Sequence, residues 1–206
     1  SHWRCDGTGR SNHHPFSGWE HEGVRALENL NSGQSLGDPC LVYDDDHHYM
    51  ASVIAEQLKL AGHDVLLVSS ADQICVEGEG ALEQHRTQKL MLEMRIELML
   101  SHRLISYDGN LAGLACRYTG RISRRECATL IPVTSRQPDD DLYQSLMSME
   151  DRFEASGIRS VRRIGDCQAP GLIVAAVFAG HRYARELGGN ATVPARDRVL
   201  IGERSG

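Results

Sequence analysis

Between Cys40 and Ser69 the apolar positions change period twice. Leu41, Val42 and Tyr43 form an unbroken apolar run, Met50, Val53, Ile54, Leu58 and Ala61 recur at helical spacing, and Val65 to Val68 is unbroken again. Side chains repeat every 3.6 residues on a helix, whereas a strand covered on both faces reads as a continuous apolar stretch. The pattern predicts a strand, a helix from Tyr49 to Ala61 capped by Gly62, and a second, parallel strand.

The same reading extends in both directions. Ala81 to Met94 suits a second helix, and Arg95 to Met99, with Ile96 and Leu98 sharing a face, a third parallel strand. Arg103 to Tyr107, Leu111 to Tyr118 and Arg121 to Arg124 are predicted as short strands joined at Asp108-Gly109-Asn110 and Thr119-Gly120, both strong turn sequences. Ala128 to Val133 reads as a buried strand and Leu142 to Glu150 as a helix capped by Asp140 or Asp141. Ser160 to Ile164 reads as a further strand. Leu172 to Leu187 is the most apolar helix, with His181, Arg182 and Arg185 suited to its negative end. Val193-Pro194 and Val199 to Ile201 close the chain. Residues 1 to 39 are rich in Gly, Ser, Asn and His, with a short amphipathic hint from Val24 to Leu30; Trp3, Phe16 and Trp19 are expected to pin this segment to a core. The class is α/β.

Composition narrows the function. With 206 residues, 41% hydrophobic content and a formal charge of -6, the chain can bury a core but has no basic excess for a phosphate backbone, so nucleic acid is not an expected partner. Cys5, Cys40, Cys75, Cys116, Cys127 and Cys167 form no CxxC pair, which suits reduced thiols in a cytoplasmic protein and no iron–sulfur site within these residues. No apolar run approaches the ~20 residues of a membrane span, and SHWRCDGTGR has no signal-peptide pattern. A start at Ser1 suggests a tag remnant or a piece of a longer polypeptide, and the elaborate N-terminal segment favours the second.

Two segments carry candidate chemistry. A dinucleotide turn uses glycines to bring backbone N–H groups onto a diphosphate. Here the turn after Tyr43 is Asp44-Asp45-Asp46-His47-His48, and carboxylates beside a diphosphate cost roughly 1 to 4 kcal/mol per pair. NAD(P) is therefore not expected. The turn is read as a solvated acidic helix start, with metal ligation or an acidic docking patch as alternatives. The second segment is Gly165-Asp166-Cys167-Gln168-Ala169-Pro170-Gly171. There Asp166 can reach a ribose or ribityl hydroxyl while the amides near Gly171, Leu172 and Ile173 face a phosphate or flavin edge; a capped turn with no ligand is the alternative. No G-x-S-x-G elbow is present, the histidines read as surface or packing residues, and Met91, Met94, Met99, Met147 and Met149 read as core filler. No catalytic or metal-ligating residue is assigned.

The pieces SHWRCDGTGR, LVYDDDHHYMASVIAEQLKLAGHDVLLVS, PVTSRQPDDDLYQSL and RRIGDCQAPGLIVAAVFAGHRYAREL, in this order, resemble the C-terminal part of the trimethylamine and dimethylamine dehydrogenase family. The resemblance covers nearly the whole chain. It implies a glutathione reductase-like, three-layer FAD/NAD(P)-binding fold of Rossmann type, with a second nucleotide-binding domain that is incomplete. Residues 1 to 38 and 127 to 206 would belong to an FAD- or ADP-binding-like domain, and 39 to 126 to a vestigial NAD(P)-binding-like domain. Gly165, Asp166, Cys167, Ala169, Pro170 and Gly171 would match the second nucleotide-binding segment, the Asp44 to His48 turn the altered pyrophosphate turn, and Ser1-His2-Trp3 the chain just after an Ala-Thr-Gly crossing point.

The resemblance also implies an FMN-bearing barrel and an iron–sulfur cluster, neither of which these residues contain, and an electron-transfer flavoprotein as acceptor. ADP or FAD would bind at the Asp166 segment only with the missing half supplied. The chain alone would then be non-catalytic, a fragment or subunit that supports electron transfer. The alternative is an independent module binding ADP, FAD or a partner protein.

Overall fold

A computed structural model of the chain describes residues 1–30 and 35–187. The closing segments Val193-Pro194 and Val199 to Ile201 lie outside the described residues. In chain order the elements are His2–Trp3 (β1), Cys40–Asp44 (β2), Met50–Leu60 (α1), Val65–Ser69 (β3), Gln84–Glu93 (α2), Glu97–Met99 (β4), His102–Tyr107 (β5), Leu111–Cys116 (β6), Ile122–Glu126 (β7), Thr129–Val133 (β8), Arg136–Gln137 (β9), Asp141–Met147 (α3) and Ile173–Glu186 (α4), with short 3-10 turns between them. The fold is mixed α/β. His2–Gln137 forms one compact unit; residues 138–187, with Ser1, belong to the other.

In the first unit a parallel sheet runs in the order β4-β3-β2-β8, and an antiparallel sheet runs β5-β6-β7. Every residue of β2, β3 and β8 is buried, which is why these strands read as unbroken apolar runs. Alternation sorts their side chains. Cys40, Val42, Val65, Leu67, Ile131 and Val133 pack with Ala51, Ile54, Ala55 and Leu58 of α1 and Met91 of α2. Leu41, Tyr43, Leu66, Val68 and Leu130 pack with Leu104, Tyr107, Ala112 and Leu114 of the antiparallel sheet, and with Phe16. The result is three layers: helices, parallel sheet, antiparallel sheet. Gly62, at φ 92, ends α1 as the sequence predicts, with its N–H donating to Lys59 O at 3.1 Å.

β8 pairs in parallel register with β2, Cys40 opposite Thr129 and Asp44 opposite Val133, and so lies in this unit. The N-terminal segment also joins it. β1 pairs antiparallel with β9, and the Arg136 guanidinium lies 5.3 Å above the Trp3 ring. Phe16 is buried and Trp3 packs on the core, as expected of anchors, but Trp19 is 39% exposed and does not serve as one.

The second unit differs in kind, since none of its described residues is among the buried ones. Asp140 occupies the position before α3 without making a side-chain cap; its carboxylate pairs with Arg163 and accepts from Gln144 Nε2 at 2.8 Å. The strand predicted from Ser160 to Ile164 is not formed. Those residues are irregular, and Arg163 is held instead by Asp140 and by the Tyr143 ring, 4.6 Å away. Helix α4 forms as predicted, but Ile173, Val174, Val177 and Phe178 all stand exposed.

Candidate functional site

The acidic turn sits at the C-terminal end of β2, where a parallel sheet meets the start of its crossover helix. It is not solvated: Asp44 and Asp45 are 0% and 1% exposed, which corrects the expectation of a solvated acidic helix start. A buried carboxylate needs hydrogen-bond donors, and here the chain supplies them. Asp44 Oδ1 accepts from the His47 amide at 2.9 Å and Oδ2 from Ser69 Oγ at 3.2 Å. Burial, with smaller contributions from the Asp46 and Asp45 charges, pushes the Asp44 carboxyl up to about 7 against those two hydrogen bonds. Asp45 Oδ1 accepts from Ser11 Oγ at 2.6 Å and from Ser70 Oγ, and Oδ2 accepts from the Ser11 amide at 2.9 Å.

His47 completes this network. It holds a left-handed backbone at φ 66, and its Nε2 lies 2.7 Å from Ser70 Oγ and 3.7 Å from Asp45 Oδ1. Burial lowers its pKa, opposed by the Asp45 charge. Asp46 is raised, chiefly by burial, against the pull of His48, Arg136 and Arg10.

The turn is also closed as an anion site. The Asp45 and Asp46 amides both donate to Val133 O, at 2.9 and 3.2 Å, and the His47 amide is taken by Asp44. These amides between the strand and the helix are therefore taken up within the protein rather than offered to a diphosphate. Residues 9 to 12 lie over the turn so closely that a Cβ at Gly9 would fall 2.4 Å from Asp45 Oδ2, and Arg10 pairs with Glu77. The residues do not fit a dinucleotide diphosphate. Ser11, Ser70, Arg10 and Glu77 escaped the sequence reading, because no spacing rule links residues 25 to 67 positions apart.

The second segment is a single turn followed by a helix. Gly165 adopts φ 64, a conformation in which a side chain would be strained, and opens the turn Gly165–Cys167. Asp166 Oδ1 accepts from the Gly171 amide at 3.2 Å and Oδ2 from Ser1 Oγ at 3.0 Å. The Cys167 thiol donates to Ile164 O at 3.1 Å, and the Ala169 amide to Gly165 O at 2.9 Å. Pro170 and Gly171 lead to Leu172, which precedes α4 without a side-chain cap, and Ile173 begins the helix 84% exposed. All eight predicted residues thus fall in one loop and helix start. A carboxylate beside an uncapped, glycine-led helix N-terminus is a donor and acceptor set that fits a sugar hydroxyl and a phosphate.

No family model matches the chain. Dimethylamine dehydrogenase of Hyphomicrobium sp. (strain x) is 30% identical over 90% of this chain and 28% of its own length. The structure of histamine dehydrogenase from Rhizobium sp. 4-9 is 32% identical with a TM-score of 0.81, over 95% of this chain and 30% of that one. The structure of 6-hydroxypseudooxynicotine amine oxidase from Pseudomonas geniculata N1 is 29% identical with a TM-score of 0.84, over 91% and 28%. Fold and relatives define the class: the chain aligns with one part of these longer oxidoreductases. Dimethylamine dehydrogenase and histamine dehydrogenase belong to the trimethylamine/dimethylamine dehydrogenase family of flavin/iron–sulfur amine dehydrogenases, and the chain spans 28 to 30% of the length of these relatives. Among the described residues no helix is long and apolar enough to cross a membrane.

Proposed function

We propose that this chain is the C-terminal, nucleotide-binding-like portion of an amine dehydrogenase-type flavoenzyme, supporting electron transfer to an acceptor flavoprotein and not catalytic alone. One observation carries the reading: the chain matches its relatives over nine-tenths of its own length but under a third of theirs, while α4 leaves its apolar side chains without a core. An apolar face of this size calls for a partner, and the remainder of such an enzyme would supply it. On this reading residues 1–38 and 127–206 descend from an FAD- or ADP-binding-like domain and 39–126 from an NAD(P)-binding-like one. FMN and an iron–sulfur cluster, held in the remainder, would supply the oxidation and one-electron chemistry.

Within this chain the Asp166 carboxylate would accept from a ribose or ribityl hydroxyl, and the amides of Leu172 and Ile173 would face a phosphate. Calorimetry with ADP, FAD and NADH tests the reading. Binding of ADP or FAD should require the remainder, and Asp166→Ala should then weaken it at least ~tenfold. Binding by the chain unaided would favour an independent nucleotide module. Tightly bound FMN with amine-driven dye reduction by this chain alone would overturn the proposal.

A further inference from the structure

At the opposite end of β2 from the acidic turn, Asp38, Cys40 and His63 converge, with one donor atom from each lying within 4.8 Å of the others. Four residues separate Cys40 from Asp44, so this cluster lies about 13 Å along the strand from the turn and is independent of it. We infer that Asp38 Oδ1, Cys40 Sγ and His63 Nδ1 form a binding site for a zinc-class divalent cation at the N-terminal edge of the parallel sheet.

The geometry carries this. Zn–S bonds near 2.3 Å and Zn–N or Zn–O bonds near 2.0 Å put tetrahedral ligands roughly 3.3 to 3.5 Å apart. His63 Nδ1 and Asp38 Oδ1 are 3.4 Å apart, so one edge of such a tetrahedron already has that length, and Cys40 Sγ lies within 4.8 Å of both. Without a cation the Cys40 thiol donates to Gly37 O at 3.3 Å, which also accepts from Thr129 Oγ1 at 2.8 Å. Closing the site requires the thiol to swing by about 1 Å toward the His63 and Asp38 donors.

The donors are held by the backbone. The Cys40 amide donates to Asp64 O at 2.8 Å, the Asp64 amide to Asp38 Oδ1 at 2.9 Å, and the His63 amide to Leu58 O at 3.0 Å. The bond from Asp64 orients the ligating carboxylate from outside the site, as outer partners of metal ligands do. Asp38 and His63 are partly open to solvent, which gives the cation a path, while Cys40 is buried beneath them. Sulfur, imidazole and carboxylate together select a borderline ion such as zinc over calcium or magnesium, which take all-oxygen sites. On binding, the thiol proton leaves to solvent and the thiolate takes its place on the cation. Burial and the Asp38 charge raise the Cys40 thiol to about 11 without a cation; an ion beside it inverts that preference.

The test is titration of the 206-residue chain, kept reduced, with Co²⁺ alone and then displacement by Zn²⁺. The expected result is a near-ultraviolet thiolate-to-cobalt band that Zn²⁺ removes, that Cys40→Ser abolishes and that Cys116→Ser leaves intact. His63→Ala, at a partly exposed loop position, should lower affinity at least ~tenfold and covers the case in which the buried Cys40 variant fails to fold. Absence of the band, its persistence in Cys40→Ser, or unchanged affinity in His63→Ala would overturn the inference and leave His63 and Asp38 as a surface ion pair.

Discussion

Ser11 and Asp45 are 34 residues apart, yet the Ser11 hydroxyl and amide both donate to the Asp45 carboxylate, at 2.6 and 2.9 Å. A side chain from the N-terminal segment thus satisfies a buried carboxylate at the end of a parallel strand.

Because hydrogen bonds to a charged acceptor are worth about 1.5 to 3 kcal/mol each, Ser11→Ala should destabilise the chain by roughly that amount. Asp45→Ala leaves Ser11 and Ser70 without their acceptor and should cost more, about 3 kcal/mol or above. Urea denaturation would show both as a lower midpoint with an unchanged slope.

The Asp44 carboxyl, raised to about 7 by burial, binds its proton more tightly folded than unfolded, where an aspartate titrates near ~3.9. Its contribution to stability is therefore full below the unfolded value and is lost as pH rises toward 7, by at most about 1.4 kcal/mol per pH unit. His47 works the other way, since its lowered pKa favours the folded state as pH rises through the usual histidine range. Asp44→Asn isolates the first effect: its amide can still accept from the His47 amide and donate to Ser69. The variant should gain stability relative to the parent as pH is raised from about 5 to 8, measured by denaturation at each pH.

Gly18 and Gly62 have nearly the same backbone angle, φ 86 and 92, but different surroundings. A Cβ at Gly18 would fall 1.8 Å from Tyr107 O, beside the Tyr107 amide that donates to Ser17 O at 2.7 Å, whereas one at Gly62 meets nothing within 4 Å. Gly62→Ala should cost about 1 to 2 kcal/mol from strain alone, and Gly18→Ala more than ~3 kcal/mol because backbone must move. Paired thermal melts would resolve the difference.

The α4 face predicts an unusual tolerance. Val177→Lys and Phe178→Lys should change the stability of this chain by less than ~0.5 kcal/mol in urea denaturation, since both side chains are about half exposed. On the reading proposed above, the same changes should weaken association with the remainder of the enzyme.

The central strands and helix of the first unit were legible because burial on two faces and helical period leave marks in local sequence: β2, α1, β3 and β8 fall within a residue or two of their predicted bounds, whereas the two-residue strands β1 and β9 read as connecting segments. The failures share a cause. Ser160 to Ile164 has strand-forming residues but, among the described residues, no strand pairs with it, and a strand exists only through its neighbours' hydrogen bonds. Trp19 has an anchor's composition without an anchor's place.

What the sequence determined by itself was the order of elements, the misfit between a nucleotide-type turn and three aspartates, and the GDC-x-APG turn ahead of an apolar helix. Tertiary structure alone decided that Asp44 and Asp45 are buried and satisfied by Ser11, Ser69 and Ser70, and that Asp38, Cys40 and His63 meet at one edge of a sheet. The reason is physical: periodicity reports which face a residue presents, but a carboxylate's environment is set by donors from segments that only the folded sheet brings together.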